Sequence, residues 1–110
     1  MEVLVHPAAA EEYWGLPDRE QDAMDNAIEK LRALGERLGY PHSSGVKAAV
    51  GVRELRPRAG RSPWRAFYRH IGDAMVIGAF GPEAEVNSRG FQAAVEHATN
   101  RLAEFETKEG

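Results

Sequence analysis

Cysteine is missing from the 110 residues. That excludes disulfides, thiol nucleophiles and cysteine-held metal sites, and it fits a reducing compartment. Long apolar runs are missing too, and none approaches the ~20 residues of a membrane helix. The opening Met1-Glu2-Val3-Leu4-Val5 is too short and too acidic for a signal peptide, so the expected location is the cytoplasm. Histidine is sparse. His6, His42 and His97 are scattered without metal-ligand spacing. Neither a metal nor a small-molecule cofactor is expected. A positive balance is also lacking, since the net charge is -3 and the pI about 5.8. That argues against a general nucleic-acid coat, because non-specific binding runs on net positive charge. No repeat or linker appears, and the length suits one domain spanning 1–110.

Against this acidic background, one stretch is strongly basic. Between Val52 and His70 lie Arg53, Arg56, Arg58, Arg61, Arg65 and Arg69, with Glu54 as the sole acid. Arginine keeps its charge in proteins, and its planar fork matches phosphate oxygens. The cluster is therefore a candidate nucleic-acid backbone site. The competing reading is a solvated strand face paired with acids from elsewhere, and charge alone leaves the two level.

Local patterns predict the elements around this stretch. Val3 to Val5 reads as a strand ended by His6-Pro7. Ala8 to Trp14 reads as a helix that Gly15-Leu16-Pro17 breaks. Met24, Ala27, Ile28, Leu31, Leu34 and Leu38 recur at three- and four-residue steps, predicting a long amphipathic helix. Asp18 with Gln21 can form its capping box, and Gly39 with Pro41 its stop. His42 to Gly45 reads as a loop, and the Lys47 region as loop or strand. Val52–Pro57, Trp64–Ile71 and Ala74–Phe80 read as strands, the last two joined by Gly72-Asp73. Phe91, Val95, Ala98, Leu102 and Phe105 predict a final helix, capped at Asn87 or Ser88. The expected class is α+β in the order β-α-α-β-β-β-α. A small antiparallel sheet carries a two-helix hairpin on one face, followed by a C-terminal helix.

This order and punctuation resemble the RelE/ParE toxin superfamily, including its HigB-like branch. The similarity lies in Val3 to Pro7, in Leu16-Pro17 before the long helix, and in Glu54-Leu55-Arg56 followed by Trp64-Arg65-Ala66-Phe67-Tyr68. The resemblance implies the toxin of a type II toxin–antitoxin pair. Its partners would be a cognate antitoxin protein and messenger RNA, often on the ribosome. The implied activity is metal-independent RNA cleavage. A gyrase inhibitor, or a member that only binds antitoxin, are the alternatives. Arg56 and Arg65 match basic positions of the RNA-cutting members. Glu54 stands where lysine is common, Pro82 and Glu83 where lysine or arginine is usual, and Phe91 where some members carry a proton-transferring tyrosine.

Metal-free RNA cleavage needs a base for the 2′-hydroxyl, cations for the phosphate and an acid for the 5′-oxygen. Arg65 and Arg56 suit the phosphate, while Tyr68, His70 and, more weakly, Glu54 are the proton carriers. Arg53, Arg58, Arg61, Arg69 and Lys47 are the candidate RNA-binding cations. Strand alternation puts Arg65, Phe67 and Arg69 on one face, and Trp64, Ala66, Tyr68 and His70 on the other. If the helices cover the Tyr68 face, the arginines share an open one. Arg65→Ala is then expected to abolish activity without unfolding. Glu83 and Glu85 are either a carboxylate pair or ion-pair partners that occlude the arginines.

Overall fold

A computed structural model describes residues 1–109. The elements are β1 (Glu2–Val5), α1 (Pro7–Trp14), α2 (Asp18–Leu34), β2 (Ser43–Gly45), β3 (Arg53–Leu55), β4 (Trp64–Ile71), β5 (Ala74–Pro82) and α3 (Ser88–Glu109). Short 3-10 turns occupy Gly35–Arg37 and Pro57–Gly60. The strands form one sheet ordered β1-β5-β4-β3-β2, in which β1 runs parallel to β5 and the other pairs are antiparallel. The α+β class, the helical hairpin and the three-strand meander are as the sequence predicts. Among the described residues, no helix is long and apolar enough to cross a membrane.

Three local expectations change. Ser43–Gly45 is an edge strand on β3 rather than a loop. Three small residues carry no periodicity, and this pairing comes from the partner strand. The helix α2 stops at Leu34, because Gly35 turns with φ +55°, a conformation that favours glycine. Asp18 lies inside α2, and Pro17 at the cap makes no side-chain bond. Gln21 instead closes the end of α1, its Nε2 lying 3.4, 3.3 and 3.0 Å from the carbonyls of Tyr13, Trp14 and Leu16. At α3 the cap is Asn87, whose Oδ1 accepts from the Gly90 amide at 2.9 Å.

The sheet is covered on both faces. Leu16, Met24 and Leu31 of the hairpin region pack on Leu55, Ala66, Tyr68 and Ile77. Ala94, Ala98 and Leu102 of α3 pack on Phe67, Val76 and Ala79. Fully buried leucines such as Leu31 and Leu102 each contribute roughly 1.5–3 kcal/mol by leaving water. The face expected to stay open around Phe67 is thus closed by α3. A bulge makes the fit possible. The β4–β5 register shifts at Phe67/Tyr68, leaving Gly78 extra on β5. A Cβ on Gly78 would lie 2.9 Å from Leu102 Cγ and 3.1 Å from Ala98 Cα. The Gly78 carbonyl accepts from Arg101 Nη1 at 3.0 Å, and Arg101 also pairs with Glu12 of α1 at 3.0 Å.

Candidate functional site

The predicted site residues divide among three places. Arg65 is at the first, and it is only 2% exposed. Its Nε donates to Glu54 Oε1 at 2.9 Å. Its Nη1 donates to the carbonyls of Ser62 and Trp64 at 2.6 and 3.0 Å. Its Nη2 reaches the Gly60 carbonyl at 3.3 Å and lies 3.6 Å from Glu83 Oε2. A guanidinium has five N–H groups; here four make hydrogen bonds, and Glu83 stands within ion-pair distance of Nη2. The expectation that Arg65 is presented with Arg69 on an open face is therefore corrected. Partly buried carboxylates and backbone carbonyls surround it because β3 and the Pro57–Gly60 turn fold over β4. Glu83 is one of those carboxylates, whereas Glu85 is exposed. Phe91 packs edge-on against Phe67 with centroids 5.4 Å apart.

The second place is a groove of about 750 Å³ at the opposite end of the same strands, and it gathers Lys47, Arg53, Tyr68, Arg69 and His70. The cause is strand length. β3 pairs with β4 only as far as Arg53↔Tyr68, so Arg69 to Ile71 have a free edge there. Arg69 and His70 point to opposite faces of β4, as alternation requires, yet both line the groove because it opens around the strand end. His70 keeps to the face opposite Arg69, as alternation predicts, yet shares the groove with the cations. Tyr68 is 2% exposed, and its hydroxyl lies 2.5 Å from Ser43 Oγ. Arg53 Nε donates to the same Ser43 Oγ at 3.0 Å. Two acids reach in from outside the sheet: Glu36 bonds His70 Nδ1, and Glu106 pairs with Arg69 Nη1. Lys47 stands exposed on the 46–52 loop, whose turn Gly51 makes at φ +81°.

The third place is a pocket of about 320 Å³ between α2 and the end of β3. Arg56 and Arg58 line it. Arg56 donates through Nε to the Pro41 carbonyl at 3.0 Å, stacks 5.2 Å over the Tyr40 ring and lies 3.6 Å from Glu54. Arg58 grips both carboxylate oxygens of Glu20 at 2.9 Å. The Glu20 pKa is lowered, first by the Ser62 hydroxyl at 2.7 Å and then by Arg58, against an opposing desolvation. Arg61 is exposed on the turn, and its Nε donates to the Arg58 carbonyl at 3.0 Å. Among the described residues, no three His, Asp or Glu side chains converge to hold a metal ion.

Residues 11–80 match the family described as "Phage derived protein Gp49-like". The chain belongs to the Gp49-like family. That family is of the RelE toxin type, so the RelE/ParE superfamily resemblance holds. The Gp49-like chain is also similar in fold to a solved structure, a double arginine-to-alanine mutant of the E. coli toxin RelE in the free state. The TM-score is 0.61 at 13% identity, covering 86% of this chain and 94% of that one. No curated protein matches this Gp49-like sequence.

Sequence reading missed Glu36 as a groove residue, and Ser43 and Glu106 as partners of groove side chains. Ser43 meets Tyr68 across 25 positions, and Glu106 meets Arg69 across 37. No local pattern signals contacts of that span. Pairing of Glu83 with the arginines was legible as one of two readings, and the structure shows it.

Proposed function

We propose that this Gp49-like chain is the toxin of a toxin–antitoxin pair, neutralised in the cytoplasm by an antitoxin protein, and that it cleaves messenger RNA without a metal. The supporting observation is the groove, which collects three cations and two proton-carrying side chains in one concavity. Energetics favour the groove over the Arg65 cluster as the RNA site. Exchanging the exposed Glu36 and Glu106 pairs for phosphate costs little, because exposed ion pairs contribute about 0–1 kcal/mol. Freeing Arg65 breaks a buried pair, which costs roughly 3–5 kcal/mol.

In this reading Lys47, Arg53 and Arg69 hold the RNA backbone, and the His70 imidazole accepts the 2′-hydroxyl proton. The 2′-oxygen bonds to phosphorus as the bond to the 5′-oxygen breaks, leaving a 2′,3′-cyclic phosphate. The Tyr68 hydroxyl returns a proton to the departing 5′-oxygen. Ser43 Oγ accepts from Arg53 Nε and bonds the Tyr68 hydroxyl, and when Ser43 is the donor of that second bond the phenol proton is free for the transfer. Arg65 and Glu54 hold the strands in register, and Arg56, Arg58 and Arg61 lie outside this step.

Purified protein incubated with a message being translated on ribosomes, and in parallel with the bare message in buffer containing a chelator, tests the proposal. The expected result is cleavage that His70→Ala reduces by about 10²-fold or more. Cleavage by His70→Ala at the native rate would refute the assignment. The closed Arg65–Glu54–Glu83 cluster favours a second reading, a member that binds antitoxin without cutting. Absence of cleavage together with tight antitoxin binding would select it.

A further inference from the structure

We infer that the 320 Å³ pocket between α2 and the end of β3 is a separate binding site for a nucleoside 5′-monophosphate group. The first reason is charge. Arg19, Lys30, Arg56 and Arg58 line the pocket against one acid, Asp22, in a chain of net charge -3. Arg58 is held by Glu20 and Arg56 is close to Glu54. Arg19 and Lys30 have no acid within ion-pair distance among the described residues, so their charge is available. Two adjacent non-glycine residues, Arg58 and Ala59, adopt left-handed backbone with φ 55° and 57°. Such conformations cost about 1–2 kcal/mol each. They turn the Pro57–Gly60 segment so that Arg58 reaches α2, where it bonds Glu20 and the Arg19 carbonyl.

The second reason is the rest of the lining. Residues 19, 22, 23, 26, 27 and 30 recur at helical spacing, so α2 turns one stripe toward β3. Ala23 and Ala27 keep that stripe shallow, and with Leu55 they give the pocket an apolar floor. Asp22 can accept from ribose hydroxyls, and the Asn26 amide can both donate and accept at a base edge. His42 supplies a further ring at the wall. A phosphate dianion, a sugar and a base each have a matching surface. The volume stands at the small end of ligand sites, suited to one nucleotide. The groove lies at the other end of β3, where Arg53 is about 10 Å from Arg56 at strand rise, so the two sites are separate.

Calorimetric titration of the full chain with AMP, with adenosine, and with short single-stranded RNA bearing either a 5′-phosphate or a 5′-hydroxyl tests this. The expected result is saturable AMP binding, at least about tenfold weaker for adenosine and weakened about tenfold by Lys30→Gln. Lys30 is exposed on α2, and an unchanged melting temperature will show that the variant is folded. Tighter binding of AMP than of 5′-phosphorylated RNA upholds the site as one for free nucleotide. The reverse order upholds it as a site for RNA 5′ ends. Equal binding of adenosine and AMP, equal binding of the two RNAs with no saturable AMP binding, or AMP binding indifferent to Lys30→Gln and Arg19→Gln would each overturn the inference.

Discussion

Replacing Arg65 with alanine should strongly destabilise the protein before it says anything about chemistry. The guanidinium is 2% exposed and engages Glu54, Glu83 and three carbonyls. Removing it leaves Glu54, whose side chain is 13% exposed, without its nearest cation. Breaking one side of a buried pair costs roughly 3–5 kcal/mol. Domains of this size have total stabilities of about 5–15 kcal/mol. With a urea slope of about 1.3 kcal/mol per molar, the unfolding midpoint should fall by roughly 2 to 4 M. Trp64, half-buried beside the cluster, provides a fluorescence readout. The double variant Arg65→Met/Glu54→Leu should recover part of the loss, because an apolar pair of similar volume needs no compensating charge. A single variant with an unchanged midpoint and no activity would refute the reasoning. It would return Arg65 to the reacting site, where the sequence alone had put it.

Gly78→Ala should cost about 1–3 kcal/mol, seen as a lower melting temperature, because its Cβ would strike Leu102 and the Ala98 backbone. An unchanged melting temperature would mean that α3 does not seat on the bulge. Tyr13 donates to Asp25 Oδ1 at 2.6 Å, and its pKa is pushed up from 10.0 to about 12, chiefly by that bond. The folded state therefore holds this proton more tightly than the unfolded chain. The resulting stability is fully present below pH 10 and lost as pH rises toward about 12. The stability gap between wild type and Tyr13→Phe should close over that window, and a pH-independent gap would contradict the assignment. Lys47→Ala should weaken single-stranded RNA binding uniformly across sequences and reduce the salt slope by about 0.7. An unaltered slope would remove Lys47 from the phosphate contacts.

The fold was largely readable because its signals are local. The apolar stripe of α2, the Gly72-Asp73 hairpin and the Asn87 cap are each set by a few neighbouring residues. The end of α2 was misplaced because Leu38 continues the apolar spacing although Gly35 has already turned the chain. β2 was invisible because Ser43–Gly45 becomes a strand only through β3. The site was less legible. Alternation placed Arg65 and Phe67 on one face correctly, but it cannot show that α3 and the Pro57–Gly60 turn close that face. It also cannot show that β3 stops short of Arg69 and so opens the groove. Charge density marked the right stretch of chain without separating the arginine that holds the strands from the cations that face solvent.

The most direct measurement is 5′-end mapping of cellular RNA after brief induction of this chain, with the Lys47→Ala/Arg53→Ala variant alongside at equal folded level. The expected result is new ends inside translated messages that disappear in the variant. Growth arrest with intact RNA, or ends unaltered by the variant, would contradict the groove as the site of RNA cleavage.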